Sequence, residues 1–313
     1  FFFSSGDAVI ATSWQTVEMV KQAQGFKERF YFIQDYEPYF YARGSEAVLA
    51  EATYSQGLAC ICASPWLDQM MRERFHAWSR PFWLAYDKRI YTCSTEQLQE
   101  RCLRQQANDH IFHLAVYARR FTERRCVELA FAALERLCQK RQNVVVHLFG
   151  DPRPPERQGF SAINHGVIDA EQLAKLYQFC DVGISLSATN YSLIPQEMMG
   201  SGLPVVDLAV ESTEAIYPKG VIALAPVSAE GLANSIDALL QSPESMRQQA
   251  EAALDWVGSF SWEKAGESVE QALLERLGEL DGAVTREGIA FQQPWTFGHN
   301  KAQFKAAVGI PTY

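Results

Sequence analysis

The sequence predicts an α/β protein built from two parallel, doubly wound sheets. Short apolar runs alternate along the chain with segments whose apolar residues recur at helical spacing, which is typical of strand–helix–strand units. The alternation is interrupted over residues 76–106, where an aromatic segment is followed by a polar stretch. A length of 313 residues allows about two domains. We therefore expect one domain with its linker over residues 1–106, a second over 107–281, and a C-terminal extension over 282–313.

The first domain is predicted to contain three strands, over residues 7–13, 29–35 and 58–64, with helices over 14–24, 45–54 and 67–75. Residues 83–86 are expected to pair at the edge of this sheet, and residues 93–106 to connect the two domains. Three strands are too few for a complete nucleotide-binding half. We therefore expect this domain to lack its beginning, in agreement with a first residue that is Phe and not Met.

The second domain is predicted to contain five strands, over residues 111–117, 144–149, 182–186, 204–208 and 221–224. Its predicted helices cover residues 125–141, 170–179, 195–200, 230–241 and 244–260. In open α/β sheets, ligands bind beyond the carboxyl ends of the strands. Two such domains that face each other would therefore bind a ligand in the cleft between them.

The composition excludes several classes of protein. The net charge of −9 lacks the basic footprint that general binding to nucleic acid or to a membrane surface requires. No segment approaches the ~18 consecutive apolar residues of a membrane-spanning helix. The seven cysteines include no Cys-x-x-Cys pair, and the six histidines show no metal-ligand spacing. We expect buried free thiols in the reducing cytoplasm, with neither disulfides nor a metal site.

Four arginines follow the first predicted strand of the second domain, at positions 119, 120, 124 and 125. Cations at the start of a helix oppose its macrodipole, so this arginine cluster indicates an anionic ligand. Rigid guanidinium groups there would form charge-assisted hydrogen bonds with such a ligand. The alternative interpretation is a basic helix start that pairs with Glu123 and Glu128.

A predicted helix start near residue 192 is a second candidate site. The stretch 189–206 is predicted to form a tight loop, a short helix and a buried strand, with Gly202 at the end of the helix. The free backbone N–H groups of such a helix start can bind a phosphate or a sugar oxygen. Glu197 adds a carboxylate within the first turns. The alternative is an ordinary crossover in which Glu197 is a solvated helix residue.

The second strand of the first domain ends in a polar and aromatic segment, residues 34–41. Flat aromatic faces stack on sugar rings, whereas carboxylates and amides bind hydroxyl groups. Gln34 and Asp35 at the strand tip, with Glu37 and Tyr39 beyond it, are therefore candidates for sugar recognition. The alternatives are that Tyr39 and Tyr41 are ordinary hydrophobic packing and that Asp35 forms a turn.

In order and spacing, these segments resemble retaining family 4 glycosyltransferases of the GT-B fold, in which two Rossmann-like domains face a cleft. The signature of that family is a Glu, seven residues, a second Glu and then an A-x-G-x-P-V pattern, and residues 197–206 resemble its second half. The first Glu would fall at position 189, where this chain has Thr189. Residues 34–41, 117–119 and 192–202 closely resemble bacterial rhamnosyltransferases that assemble S-layer glycans and O-antigens. The resemblance extends over about residues 7–277.

The resemblance implies roles on the donor side of the cleft. Arg119 and Arg124 match the positions of an Arg and a Lys that stabilise the leaving diphosphate, and the helix start at Tyr191, Ser192 and Leu193 would assist them. Glu197 would bind the ribose hydroxyls. Gly150 would let the chain approach the donor closely, and Val167 lies in the loop 165–173, which would surround the nucleobase.

The resemblance also implies a reaction. Gln34 and Asp35 would belong to the catalytic machinery, and Glu37 and Tyr39 to the acceptor side. The reaction would be retaining and independent of metal, with dTDP-L-rhamnose as the leading donor. The acceptor would be a growing surface glycan, expected to be lipid-linked.

The sequence leaves open which further partners the protein has and whether one of two other functions applies. The resemblance implies no nucleic-acid partner, and allows contact with the inner membrane or with other transferase domains of the same chain. A nucleotide-sugar epimerase of GT-B fold would need a general base and acid beside the sugar. A non-catalytic sugar-binding module is the second rival, since Thr189 replaces a Glu of the signature.

Overall fold

The computed structural model describes residues 4–153 and 159–281 and confirms an α/β fold with two parallel sheets. The first sheet has the strand order β1-β2-β3-β4. It comprises β1 (Gly6–Ala11), β2 (Phe26–Ile33), β3 (Ala59–Cys62) and β4 (Ser79–Pro81), with helices α1 (Trp14–Gln22), α2 (Ser45–Thr53) and α3 (Pro65–Phe75) between them. A 3-10 turn, Glu37–Phe40, follows β2. All four residues of β3 are buried, as expected for a parallel strand that is covered on both faces.

The predicted edge strand at residues 83–86 is wrong. The edge strand is β4, which pairs with β3 in the register Cys60 to Ser79. Residues 83–86 leave the sheet towards the second domain. There the Trp83 ring stacks on Phe260 with centroids 4.9 Å apart, and the Leu84 N–H donates to Tyr191 Oη at 2.9 Å. An aromatic run fits interdomain packing as well as it fits a strand, so the sequence pattern does not distinguish the two.

The second sheet follows helix α4 (Thr95–Gln105) and has six parallel strands in the order β10-β9-β8-β5-β6-β7. The strands are β5 (Phe112–Tyr117), β6 (Val144–Phe149), β7 (Ala162–Asn164), β8 (Val182–Ile184), β9 (Val205–Leu208) and β10 (Ala223–Ala225). The helices are α5 (Val127–Lys140), α6 (Ala170–Phe179), α7 (Leu193–Gly200), α8 (Glu211–Ile216) and α9 (Ala229–Leu240). The sequence does not predict β7 and α8, because such short segments show no clear period.

The polar connection between the domains is anchored by a buried cation. Ser94 and Gln97 exchange hydrogen bonds in a capping box that begins α4. On the same helix, the guanidinium of Arg101 is buried and donates to the carbonyls of Tyr177 at 3.1 Å and of Gly202. These carbonyls lie at the ends of α6 and α7, where a cation complements the helix dipole. The connection therefore packs as part of the second domain's surface.

Two helices complete the described chain, α10 (Pro243–Gly258) and α11 (Trp262–Asp281). Helix α11 returns to the first sheet, where Ala265 and Ala272 are buried with Phe30 and Ile61. The last helix of the predicted range 107–281 therefore packs on the sheet of the first domain. The predicted extension over 282–313 lies outside the described residues.

All seven cysteines are free, and four of them are buried. Burial raises the pKa of the Cys60 thiol to about 12, which keeps it in the unreactive protonated form. In the described part of the chain, no helix is both long enough and apolar enough to span a membrane.

Candidate functional site

A cavity of about 430 Å³ lies between the carboxyl ends of the two sheets. This volume falls in the range of small-molecule sites, roughly 300–1,000 Å³. Both domains contribute to its walls, which consist of Thr12, Ser13, Gln15, Gln34, Asp35, Glu37, Phe40, Tyr41, Arg124, Arg125, Tyr191 and Ser192. We refer to it as the central cavity.

The first domain contributes the residues that directly follow its strands. Gln34 and Asp35 follow β2, as the sequence predicts. Thr12 and Ser13 follow β1 and line the same cavity, although sequence reasoning did not select them. The signal was available, because the carboxyl ends of parallel strands meet at one edge of a sheet.

Asp35 joins the two domains. Its Oδ1 accepts hydrogen bonds from the backbone N–H groups of Tyr36 at 2.8 Å and Asn190 at 2.9 Å. Its Oδ2 accepts a hydrogen bond from the Thr189 hydroxyl at 2.9 Å. Burial raises the pKa of Asp35, whereas these hydrogen bonds and the charge of Arg124 oppose the shift. With only 8% of its surface exposed, Asp35 is an interdomain tie at the wall of the cavity.

The contact with Asp35 explains the residue at position 189. Thr189 is 2% exposed, and its hydroxyl is directed at the Asp35 carboxylate. A Glu at this position would place a second carboxylate against Asp35, and two buried like charges repel each other. The Thr189 hydroxyl therefore takes part in the contact between the two domains.

Arg124 and Arg125 form the cationic wall of the central cavity. Arg124 Nε lies 3.7 Å from Asp35 Oδ2, and its guanidinium carbon lies 4.4 Å from the centroid of the Phe40 ring. Arg124 Nε is buried and makes no hydrogen bond with the described residues. Arg125 donates to Ser187 Oγ at 3.3 Å. The sequence prediction selected Arg124 and missed Arg125, although both belong to the arginine cluster.

The electrostatics of this pair favour an anion. Burial lowers the pKa of Arg125, and the adjacent charge of Arg124 lowers it further, with Asp35 and Asp207 as opposing charges. An arginine remains charged in proteins, so the two like charges repel each other. An anion in the cavity would relieve this repulsion and would complete the hydrogen bonding of Arg124.

The start of α7 faces the same cavity. Ser192 is the N-cap residue, but its side chain makes no capping hydrogen bond. The Ser192 Oγ atom is buried and has no partner among residues 4–153 and 159–281. Tyr191 is buried, and its hydroxyl binds the Leu84 N–H. Leu193 begins the helix outside the cavity lining. The first N–H groups of a helix and a free hydroxyl together can bind anionic oxygens.

Glu197 lies on α7 but not on the wall of the central cavity. Burial raises its pKa to about 7, and a hydrogen bond with Tyr91 opposes this shift. Its Oε2 atom is buried without a hydrogen-bond partner in the described part of the protein. The carboxylate is thus largely buried, and it contacts Tyr91 of the interdomain connection. The interpretation of Glu197 as a solvated helix residue is wrong.

Three other predicted donor residues also lie outside the central cavity. Arg119 is exposed at the tip of β5, with its guanidinium carbon 4.5 Å from the centroid of the Phe121 ring. Gly150 directly follows β6 and has a φ of +97°, and a Cβ atom there would lie 2.7 Å from the Tyr117 ring. Val167 is 72% exposed in the loop before α6. A glycine is therefore required at position 150 for the turn itself.

The two predicted acceptor-side residues lie in different surroundings. Glu37 is buried at the edge of the central cavity, where its carboxylate accepts hydrogen bonds from the Trp14 N–H at 2.9 Å and the Tyr31 hydroxyl at 3.1 Å. It therefore fixes α1 to β2. Tyr39 is 51% exposed and lines a separate cavity of about 210 Å³. One side of the Tyr39 ring packs on Tyr36, with centroids 4.6 Å apart, so hydrophobic packing accounts for part of its surface. Tyr41, which belongs to the predicted segment 34–41 but was not selected as a site residue, lines both cavities.

Two family models match this chain. The first, described as "WsaF, N-terminal domain", matches residues 1–63, and the second, described as "WsaF, C-terminal domain", matches residues 113–237. Together they cover more than half of the sequence. The O-antigen biosynthesis protein RfbC of Myxococcus xanthus is 30% identical over 277 residues, which is 86% of this chain. The chain spans 21% of the length of that relative.

The fold is similar to that of solved glycosyltransferases. Sucrose-phosphate synthase from Thermosynechococcus elongatus has a TM-score of 0.66 and 18% identity, over 88% of this chain and 74% of that one. HepE from Anabaena, solved with UDP-glucose, has a TM-score of 0.65 and 16% identity, over 87% and 79%. The pneumococcal O-GlcNAc transferase GtfA, solved with UDP and GlcNAc, has a TM-score of 0.62 and 14% identity, over 87% and 57%. At these identities the likeness concerns the fold, and it confirms the predicted GT-B arrangement.

Proposed function

Because this chain belongs to a glycosyltransferase family of GT-B fold that carries the two WsaF domains, we propose that it transfers a sugar from a nucleotide-activated donor to a bacterial surface glycan. The observation that carries the proposal is the Arg124–Arg125 pair, which lines the central cavity together with Gln34 and Asp35. A donor diphosphate would add negative charge beside the Asp35 carboxylate and would offset the repulsion between the two cations.

The proposed reaction retains the configuration of the sugar and uses no metal. The acceptor hydroxyl attacks the anomeric carbon from the face that the diphosphate leaves. The bond between that carbon and the phosphate oxygen breaks, a bond to the acceptor oxygen forms, and the departing phosphate takes the acceptor proton. Arg124 and Arg125, with the start of α7, stabilise the developing negative charge more strongly in the transition state than in the ground state. Arg119 would join them at the tip of β5.

The proposed donor is dTDP-L-rhamnose. Residues 34–41 resemble bacterial rhamnosyltransferases, and five residues of this segment line the central cavity beside the arginine pair. Position 189 supports this donor, because Thr189 donates a hydrogen bond to Asp35 and offers no carboxylate to a donor hydroxyl. A deoxyhexose lacks one of the hydroxyl groups that such a carboxylate would bind.

The proposed acceptor is a growing glycan of the O-antigen or S-layer type. The Myxococcus xanthus relative is named for O-antigen biosynthesis, which supports a glycan acceptor. We further propose a lipid-linked acceptor and a cytoplasmic location, with peripheral contact at the inner membrane or with other transferase domains. Glu197 would bind the donor ribose, and Gly150 and Val167 would lie near the nucleobase.

A donor comparison on the full chain tests the proposal. Initial rates of nucleotide release are measured with dTDP-L-rhamnose and with UDP-glucose in the presence of a rhamnose-terminated glycan. We expect at least a tenfold preference for dTDP-L-rhamnose, which corresponds to about 1.4 kcal/mol. A preference for UDP-glucose would contradict the donor, although sugar transfer would remain. An epimerase would convert the donor sugar without transfer, and a sugar-binding module would leave the donor intact.

A further inference from the structure

We propose that the cavity of about 210 Å³ on the first domain binds a second sugar ring of the acceptor, next to the one that receives the transferred sugar. This outer cavity is lined by Tyr36, Tyr39, Tyr41, Arg43, Glu51 and Arg74. Its volume lies below the roughly 300 Å³ at which sites for larger ligands begin. It therefore suits one pyranose unit and not a nucleotide. The inference rests on the proposed function.

Tyr41 connects the outer cavity to the central cavity, because its side chain lines both. Its hydroxyl accepts hydrogen bonds from Trp14 Nε1 at 3.0 Å and Gln15 Nε2 at 3.3 Å. The Trp14 and Tyr41 rings also meet edge to face, with centroids 6.1 Å apart. The shared wall is therefore held in place from the first turn of α1. A glycan whose terminal sugar lies in the central cavity can therefore extend past Tyr41, so that its next sugar lies in the outer cavity.

The wall beneath the outer cavity is rigid. The Tyr36 hydroxyl donates to Glu51 Oε1 at 2.8 Å, and Glu51 is paired with Arg74. The guanidinium carbon of Arg74 lies 5.6 Å from the centroid of the Tyr36 ring. Tyr39 packs edge to face on Tyr36, with centroids 4.6 Å apart. One side of the Tyr39 ring is thus fixed, and half of its surface is exposed.

The chemistry of the exposed groups matches a sugar. The Tyr39 ring offers an apolar surface, and burying it against the flat face of a pyranose removes both surfaces from water. Arg43 is exposed at the rim and makes no hydrogen bond or ion pair with any residue in 4–153 or 159–281. Its guanidinium is available to hydroxyl or ring oxygens. A stacking ring beside a free donor is the arrangement expected for one sugar residue.

Acceptor length provides the test. Transfer by the full chain is measured with methyl rhamnoside and with the methyl glycoside of a rhamnose disaccharide, and binding of both glycosides is measured by calorimetry without donor. We expect the disaccharide to be preferred at least tenfold in kcat/KM. Tyr39→Ala should reduce this preference about tenfold, Arg43→Ala should reduce it severalfold, and Tyr39→Phe should retain it. Leu49→Ala is the matched control, because Leu49 is exposed on α2 and is not among the residues that line the outer cavity.

The outcomes separate this inference from the proposed function. Equal use of the two acceptors, or a preference that Tyr39→Ala leaves unchanged, would overturn the outer subsite while sugar transfer stands. Absence of transfer with every donor would overturn the proposed function. The binding measurement would then still test the outer subsite. If the subsite exists, Tyr39→Ala weakens disaccharide binding and Leu49→Ala leaves it unaltered.

Discussion

Replacing Arg124 with Gln should lower kcat/KM for sugar transfer by about 30- to 1,000-fold. Removal of one charge-assisted contact to a leaving group costs about 2–4 kcal/mol of transition-state stabilisation, and each 1.4 kcal/mol is a factor of ten. The upper half of the range is expected, because Arg124 Nε is buried and has no hydrogen-bond partner in the described part of the chain. A bound diphosphate would thus add a charge-assisted contact to the ion pair that Arg124 forms with Asp35.

The same substitution should affect stability only slightly. The Asp35 carboxylate keeps its hydrogen bonds from Tyr36, Asn190 and Thr189 when Arg124 is replaced. We expect a decrease of about 1 kcal/mol in the free energy of unfolding, within the usual range for single substitutions. Loss of activity and loss of fold can therefore be separated.

The assay measures initial rates of dTDP release over a range of donor concentrations, together with urea unfolding of each variant. Arg136→Gln is the matched control, because Arg136 is exposed on α5 and is not among the residues that line the central cavity. It should retain wild-type rates. A kcat/KM for Arg124→Gln within threefold of the wild type, less than about 1 kcal/mol, would refute the role of Arg124 at the leaving group.

Three further predictions concern residues of the second domain and of the connection that leads to it. Arg119→Ala should lower kcat/KM at least tenfold, because an exposed guanidinium at the strand tip can turn towards a bound diphosphate. Unchanged rates would mean that only Arg124 and Arg125 stabilise the leaving diphosphate. Arg101→Ala should lower the free energy of unfolding by about 3 kcal/mol, since buried carbonyls lose a charged donor. A midpoint of urea unfolding equal to that of the surface variant Arg136→Ala would contradict this. Burial raises the pKa of Glu197 from 4.5 to about 7, so the folded state binds an extra proton between these pH values and the free energy of unfolding falls as pH rises through them. Glu197→Gln should reduce this fall between pH 5 and pH 7.5 in urea unfolding, and an equal fall in the wild type and the variant would contradict the prediction.

Local patterns in the sequence were sufficient for the strands and for the polar residues that follow them. The alternation of buried strands and amphipathic helices predicted both sheets, and the ends of parallel strands predicted that Gln34, Asp35 and Arg124 would lie at the cleft. These predictions held because strand formation and side-chain direction depend mainly on near neighbours in the chain. Thr12 and Ser13 could have been predicted by the same rule.

Contacts between distant segments could not be predicted in this way. The hydrogen bond between Asp35 and Thr189 joins residues 154 positions apart, and no local sequence pattern predicts it. Burial of Glu197 beneath the interdomain connection and the return of α11 to the first sheet likewise depend on how the two domains pack. A sequence pattern records which side of an element is apolar, but many surfaces can cover that side equally well. Only the tertiary structure decides which one does, because that choice depends on shape and charge complementarity between segments that share no local period.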